Sequence, residues 1–220
     1  MTSSDLRMIA RSNLAGNWVK SALVAFIASL LGGALYGESF SISIDDDLLV
    51  YLPTAVRYYL LIAATIGFFF SILHFIIGGT VRLGYCAYLL KQYDGQDPEL
   101  KDLFSQFHRF GDGFCLALLE GIYIFLWTLL FIIPGIIASL RYAMAPFIMV
   151  ESPYMTASEA ITASKRMMEG NKARLFCLQW SFIGWILLCV LTLGIGNLFL
   201  NPYMEAATAA FYRKIQPKTN

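Results

Sequence analysis

Five ionisable residues sit inside stretches that are otherwise apolar: His74, Arg82, Glu120, Arg141 and Glu205. A charge at the middle of a bilayer costs about 2.5–3.5 kcal/mol on the mildest scale, so such residues are functional candidates by default. Arg141 lies six residues after Pro134-Gly135, and Glu205 lies nine after Gly196. Those depths predict that the two pair or share a polar network. Glu120 is placed nearer the inner face, within possible reach of Arg82. Two chemistries fit these charges: they lock helices together, or they line a polar path for a proton, an ion or an anionic group. His74 fits either a proton relay or a hydrogen-bonded core histidine. Pro134 and Gly135 predict a helix break, because Pro lacks a donor and Gly frees the backbone. Asn197, Asn201, Pro202 and Tyr203 put polar groups and a bend into the last apolar segment. That is a binding notch, or a packed bend whose carbonyls are satisfied by neighbours.

Other chemistry is thinly represented. The sequence has no HExxH, no GxSxG, no phosphate-cradling GxxxxGK[ST] and no dinucleotide fingerprint, so no catalytic or cofactor-binding residue is assigned. Cys86, Cys115, Cys177 and Cys189 lie in apolar stretches without CxxC spacing and read as small buried hydrophobes. Neither His74 nor His108 is near a cysteine, so no metal site is expected. The net charge of +1 gives no field that would attract nucleic acid.

The elements that must hold these residues follow from composition. Of 220 residues, 58% are hydrophobic and 14% charged, against roughly 25% charged in a soluble domain. This places the chain among polytopic membrane proteins. A span needs about 20 residues. The apolar runs predict an all-α, six-transmembrane helical bundle in a single domain, with spans at 18–37, 56–82, 114–133, 136–150, 173–193 and 197–213. The segment 38–53 carries Glu38, Asp45, Asp46 and Asp47 without a basic residue and reads as an outer loop. Basic residues gather at Arg7, Arg11 and Lys20, at Lys165, Arg166, Lys172 and Arg174, and at Arg213, Lys214 and Lys218. The positive-inside rule puts these three segments, and hence both termini, in the cytoplasm.

Aligning Ser4 with Ser158 pairs Asp5 with Glu159, Arg11 with Lys165, Gly16 with Gly170, Asn17 with Asn171 and Lys20 with Arg174. A weaker third copy starts at Lys101, with Asp102, His108 and Gly113. The expected unit is a cytoplasmic amphipathic helix feeding a membrane hairpin, in three parallel repeats; any interfacial helix before a span gives a similar pattern. Leu6, Ile9, Ala10 and Leu14 recur at helical spacing, so the N-terminus reads as such a helix rather than a cleaved leader. Thr156 with Glu159 fits a capping box. Ala160, Ala163 or Ser164, Met167 and Met168 give the helix that follows an apolar or small face. Pro98 precedes a third, with Leu100, Leu103, Phe104 and Phe107 as its apolar face. These helices dock a partner or lipid, or plug the inner end of the bundle. Gly33 with Gly37, and Ala206 with Ala210, mark close helix contacts.

The second half carries an ordered motif series. It runs from Leu126-Trp127 to Pro134-Gly135-Ile136, then Arg141-Tyr142-Ala143-Met144, Glu159-Ala160-Ile161 and Met168-Glu169-Gly170-Asn171-Lys172. Ser181-Phe182-Ile183-Gly184-Trp185, Leu191 to Gly196, Asn201-Pro202-Tyr203 and Phe211-Tyr212 complete it. With Ala10-Arg11, Gly16-Asn17-Trp18 and Asp102-Leu103-Phe104, the series resembles, over nearly the whole chain, the bacterial integral membrane family known as domain of unknown function 975. The stretch from Pro146-Phe147-Ile148 to Gly170 is distantly similar to a membrane domain fused to some glycerophosphodiester phosphodiesterases; these residues include no hydrolase domain, so that activity does not carry over. The resemblance implies a bacterial cytoplasmic membrane and no established activity. The leading expectation is a non-enzymatic accessory or scaffold factor for a membrane or export process, with the bilayer and a membrane protein or a second copy as partners. A small-solute or ion transporter or channel is the alternative, and a lipid-related membrane enzyme the third reading.

Overall fold

A computed structural model describes residues 3–15, 17–32, 53–191 and 196–216. Gly33 with Gly37, the acidic segment 38–52, Gly194-Ile195 and Lys218 lie outside the described residues. All regular structure among the described residues is helical. In chain order the helices are α1 (Ser3–Leu14), α2 (Trp18–Gly32), α3 (Thr54–Tyr93), α4 (Phe110–Leu130), α5 (Ile132–Tyr142), α6 (Ala145–Glu151), α7 (Ala157–Met167), α8 (Lys172–Trp180), α9 (Ile183–Leu191) and α10 (Asn197–Ile215). Two short 3-10 helices, Leu100–Phe104 and Phe107–Arg109, precede α4.

Among the described residues, four helical stretches are long and apolar enough to cross a membrane: Tyr58–Tyr93, Leu100–Leu130, Ile132–Glu151 and Lys172–Cys189. α3 shows why that reading suits this fold. Its 40 residues extend about 60 Å at 1.5 Å each. Tyr58, Tyr59, Leu61, Ile62, Ile66, Phe68, Phe69 and Leu73 on the first half are exposed, on every side of the helix. Val81, Leu83, Cys86, Tyr88, Leu89 and Leu90 on the second half are buried. Water would penalise the first half heavily; hydrocarbon does not. The molecule therefore has two zones. Exposed apolar surface continues over the end of α4, the start of α5 and much of α9. The core and most ion pairs gather where α3, α6 and α10 end and α4 begins.

The helix ends differ from the sequence expectation in four places, each for a local reason. α4 stops at Leu130, and Phe131 is extended (φ −162°, ψ 153°), so the break precedes Pro134-Gly135. Pro134 is the third residue of α5, inside the first turn, where a missing N–H leaves no hydrogen bond unmade. Gly135 serves close packing instead: a Cβ there would stand 2.2 Å from Thr128 Oγ1. The expected 136–150 span is divided at Ala143-Met144, with Pro146 in the first turn of α6. The 173–193 span is interrupted at Ser181-Phe182, where the Ser181 hydroxyl donates to the Leu178 carbonyl at 2.6 Å. The segment after Pro98 forms two 3-10 turns rather than an amphipathic α-helix. Only Leu103 of its expected apolar face is buried, while Leu100, Phe104 and Phe107 are exposed. Lys91 holds Asp102 at 2.6 Å, and Asp102 also accepts the Glu99 N–H at 2.9 Å, which fixes the tight turn.

α1 and α7 have their apolar sides covered by the protein itself. α1 packs on α10 and buries Leu6, Ala10 and Leu14. α7 packs on α6, α4 and α5 and buries Ala160, Ser164 and Met168, which the Ser4–Ser158 alignment sets opposite those three. The α7 capping box forms: Thr156 Oγ1 accepts the Glu159 N–H, and the Glu159 carboxylate accepts the Thr156 N–H at 2.8 Å.

Two predictions follow from these contacts. A Cβ on Gly84 would meet the Leu103 carbonyl oxygen at 1.8 Å, whereas one on Gly121 meets nothing within 4 Å. Gly84→Ala therefore destabilises by about 1–3 kcal/mol through overpacking, and Gly121→Ala is neutral or stabilising, read as thermal unfolding in detergent. The hydrogen bonds from Thr156 hold the Glu159 carboxyl below its ordinary range. A carboxyl depressed in the folded state stabilises fully above its unfolded value, and that stabilisation fades as pH falls through the folded value. Hydrogen exchange at the first turn of α7 is expected to speed up on acidification, and Glu159→Gln to remove that dependence.

Candidate functional site

Three helices bring charge to one level of the interior. Arg82 lies eleven residues before the end of α3, Glu120 ten after the start of α4, and Glu205 ten before the end of α10. At 1.5 Å per residue all three stand about 15 Å from the charge-rich end. Arg82 Nη1 donates to Glu120 Oε2 at 2.6 Å. The Glu120 side chain is 5% exposed and Arg82 22%. Glu120 Oε1 is buried with no hydrogen-bond partner. Glu205 is partly buried and makes no hydrogen bond or ion pair with a described residue; Arg82 is the cation whose field reaches it. The buried Cys86 thiol, one turn along α3, lies within the fields of all three. Small residues let the helices approach. A Cβ on Gly79 of α3 would lie 2.4 Å from the Gly113 carbonyl oxygen of α4.

Arg141 does not join Glu205. It forms no ion pair with a described residue, and its Nε is buried without a hydrogen-bond partner. Equal depth did not make the two neighbours: α5 packs mainly on α4, α7 and α8, while α10 packs mainly on α1, α2 and α3. The Arg141 carbonyl accepts the Ser164 hydroxyl at 2.8 Å, which ties α5 to α7. His74 is partly buried, two turns before Arg82 on α3. Of the expected notch, Asn201 is exposed, Asn197 partly buried and Pro202 buried. Tyr203 is a packing residue. Its ring meets Phe182 edge-on at 5.2 Å and Trp18 at 6.2 Å, and its hydroxyl donates to the Arg7 carbonyl at 3.3 Å.

The interactions at the charged end were not anticipated. Arg213 of α10 bonds Asp94, the residue that ends α3, at 2.5 Å, and pairs with Glu151, the last residue of α6. Tyr212 and Gln216 also donate to Glu151, at 2.5 and 2.7 Å. Arg109, with its side chain 10% exposed, donates to the Met149 and Met155 carbonyls at 3.0 and 3.3 Å. A sequence signal for this joint exists. Arg82, Arg141 and Glu205 are each followed six residues later by an aromatic residue, Tyr88, Phe147 and Phe211, and all three aromatics are buried. Beside Glu151 lies an open groove lined by Ser152, Tyr154, Ser158, Glu159, Thr162 and Arg166.

The sequence model of a family described as "Protein of unknown function (DUF975)" matches residues 1–138 and 129–219. The chain belongs to this family. No curated protein and no solved structure matches it. The DUF975 assignment accounts for the ordered motifs along the chain and brings no activity with it. Roles in this DUF975 chain therefore rest on its own geometry.

That geometry separates the two arginines. Removing Arg82 leaves Glu120 buried and unpaired, so Arg82→Gln is expected to lower stability by about 3–5 kcal/mol. Arg141→Gln breaks no ion pair and is expected to cost about 1 kcal/mol. Unfolding of the purified variants in detergent, followed by tryptophan fluorescence, checks the difference.

Proposed function

We propose that this chain is a multi-pass protein of the bacterial cytoplasmic membrane, crossing six times with both termini in the cytoplasm, and that it acts as a non-enzymatic accessory or scaffold factor. Helix direction supports the six crossings. α2 leaves the charged end and α3 returns to it; α4 leaves, and α5 with α6 returns; α8 with α9 leaves, and α10 returns. The basic residues of α1, α7 and the end of α10 fall on the side that the positive-inside rule assigns to the cytoplasm.

The observation that carries the scaffold reading is the charged end itself. Arg213, Asp94 and Glu151 tie three helix ends together, and Arg109 bonds the Met149 carbonyl of α6 and the Met155 carbonyl of the loop that follows. The result is a fixed platform beside an open groove of mixed polarity, with Tyr154 fully exposed at its rim. A rigid, polar, accessible surface suits an exposed segment of another protein. By contrast, the apolar sides of α1 and α7 are already occupied by the bundle, so docking through those faces is disfavoured.

A second reading has one specific observation behind it. Arg82, Glu120 and Glu205 place an unmatched negative charge inside the bundle, which suits a transporter or channel that handles protons or cations.

Cross-linking in native membranes, gentle extraction and identification of what co-purifies tests the scaffold reading against a tagged, unrelated six-span control. A stoichiometric membrane partner, lost on Tyr154→Ala with Arg166→Glu, is expected. Recovery of the protein alone, together with solute flux in reconstituted vesicles, overturns the scaffold reading in favour of transport.

A further inference from the structure

Two carboxylates and one guanidinium do not balance. Glu120 is committed to Arg82 at 2.6 Å. Glu205, at the same level on α10, has no ion-pair or hydrogen-bond partner among the described residues. The cluster carries one surplus negative charge if both carboxyls are ionised.

Most other described charges on the surrounding helices have partners of their own; Arg141 forms no ion pair with a described residue, but its helix α5 packs mainly on α4, α7 and α8. On α1, Arg7 and Arg11 form no ion pair with a described residue, and their fields reach Tyr203 rather than Glu205. Lys20 of α2 pairs with Asp97. On α3, Lys91 holds Asp102, and His74 stands two turns from Arg82, about 12 Å along the axis. On α4, Asp112 holds Arg109 at the helix start. On α6, Glu151 is held by Arg213. Lys165 of α7 stands over the Tyr123 and Tyr142 rings at 5.4 and 5.5 Å. Arg174 of α8 bonds Asn171. α9 contributes no Asp, Glu, Lys, Arg or His. Among the described residues, Arg82 is the cation whose field reaches Glu205.

Two further observations point to a ligand. Glu120 Oε1, on a side chain 5% exposed, is buried at the cluster without a hydrogen-bond partner. Glu205 also belongs to a polar stripe on α10: Asn197, Asn201, Glu205 and Thr208 follow one another at intervals of four, four and three residues, on one helix face. All four are partly or fully exposed, in a helix whose other side buries Leu200, Ala207, Ala210 and Phe211. The stripe begins at the end of α10 farthest from the charged end and reaches Glu205 from there.

We propose that Arg82, Glu120 and Glu205 form a proton-binding site, in which Glu205 gains and loses the proton and the stripe of Asn197 and Asn201 gives it access. In one state Arg82 faces two carboxylates. In the other Glu205 is a neutral acid whose O–H can donate to an acceptor, and the cluster has no net charge. The step is a simple protonation: the proton comes from water along the stripe and adds to a Glu205 carboxylate oxygen. This inference deepens the transport reading but does not need it, because a proton site can equally set which conformation a scaffold adopts.

The test is infrared difference spectroscopy on the full chain in lipid nanodiscs, titrated from mildly alkaline to mildly acidic pH, with N-methylglucamine as the only bulk cation. Wild type is expected to gain a protonated-carboxyl band on acidification. Glu205→Gln, which breaks no bond made in the folded state, is expected to lose that band while eluting as a folded monodisperse species. Glu205→Asp is expected to keep the band with a shifted midpoint, and Asn201→Leu to slow its appearance. A band of undiminished size in Glu205→Gln overturns the proposal. So does the absence of any titrating band in wild type, or a midpoint that follows added sodium or potassium, which would mark a metal-cation site. Proton flux in vesicles is a separate measurement, and its absence would remove transport without touching the site.

Discussion

The Arg213 guanidinium is the joint on which the bundle turns. It is 18% exposed and reaches Asp94 and Glu151, so one side chain unites the ends of α3, α6 and α10. Each of these helices or helix pairs brings a charged residue into the interior, Arg82, Arg141 and Glu205, and each brings a buried aromatic six residues later. Fixing the ends fixes the depth at which those residues stand. Charge-assisted pairs of this kind are stronger where water is partly excluded, as it is around Arg213 and Glu151.

Solvent divides the molecule as firmly as the joint unites it. The first half of α3, the end of α4, the start of α5 and most of α9 expose Phe, Leu, Ile and Tyr on their surfaces. The other zone buries its apolar residues and organises its charges into pairs. Within a bilayer there is little hydrophobic gain from pressing helices together, so close contact relies on small residues and shape. Gly79 against Gly113, Gly84 against the Leu103 carbonyl, and Gly135 against Thr128 supply those contacts. On α3, Arg82 lies between Gly79 and Gly84. Close packing at the glycines leaves Arg82 and Glu120 within hydrogen-bond distance of each other and Glu205 to one side.

Between scaffold and transporter, the two zones favour different answers. The charged platform and its groove offer an open polar surface. The Arg82, Glu120 and Glu205 cluster is built around a charge imbalance that no described neighbour relieves. The two are linked mechanically, because α3 and α10 carry a member of each.

The sequence by itself determined class, family and which residues are exceptional. Low charge, apolar runs of membrane length and an ordered motif series are properties of composition and order, and they need no contacts to be read. Helix caps were legible for the same reason: the Thr156–Glu159 box is a local interaction between residues three apart. Proline was legible as a punctuator but not in place, since Pro134 sits inside the first turn of α5 and the break falls at Phe131. Partners across the bundle were decided only by tertiary structure. Depth along a helix can be counted in residues, and that gave Arg82 to Glu120. Azimuth and neighbourhood cannot be counted, and that is why Arg141 and Glu205 stand at comparable depths on helices that pack against different neighbours. The Arg213 joint links residues 62 and 119 positions apart, beyond the reach of any local pattern.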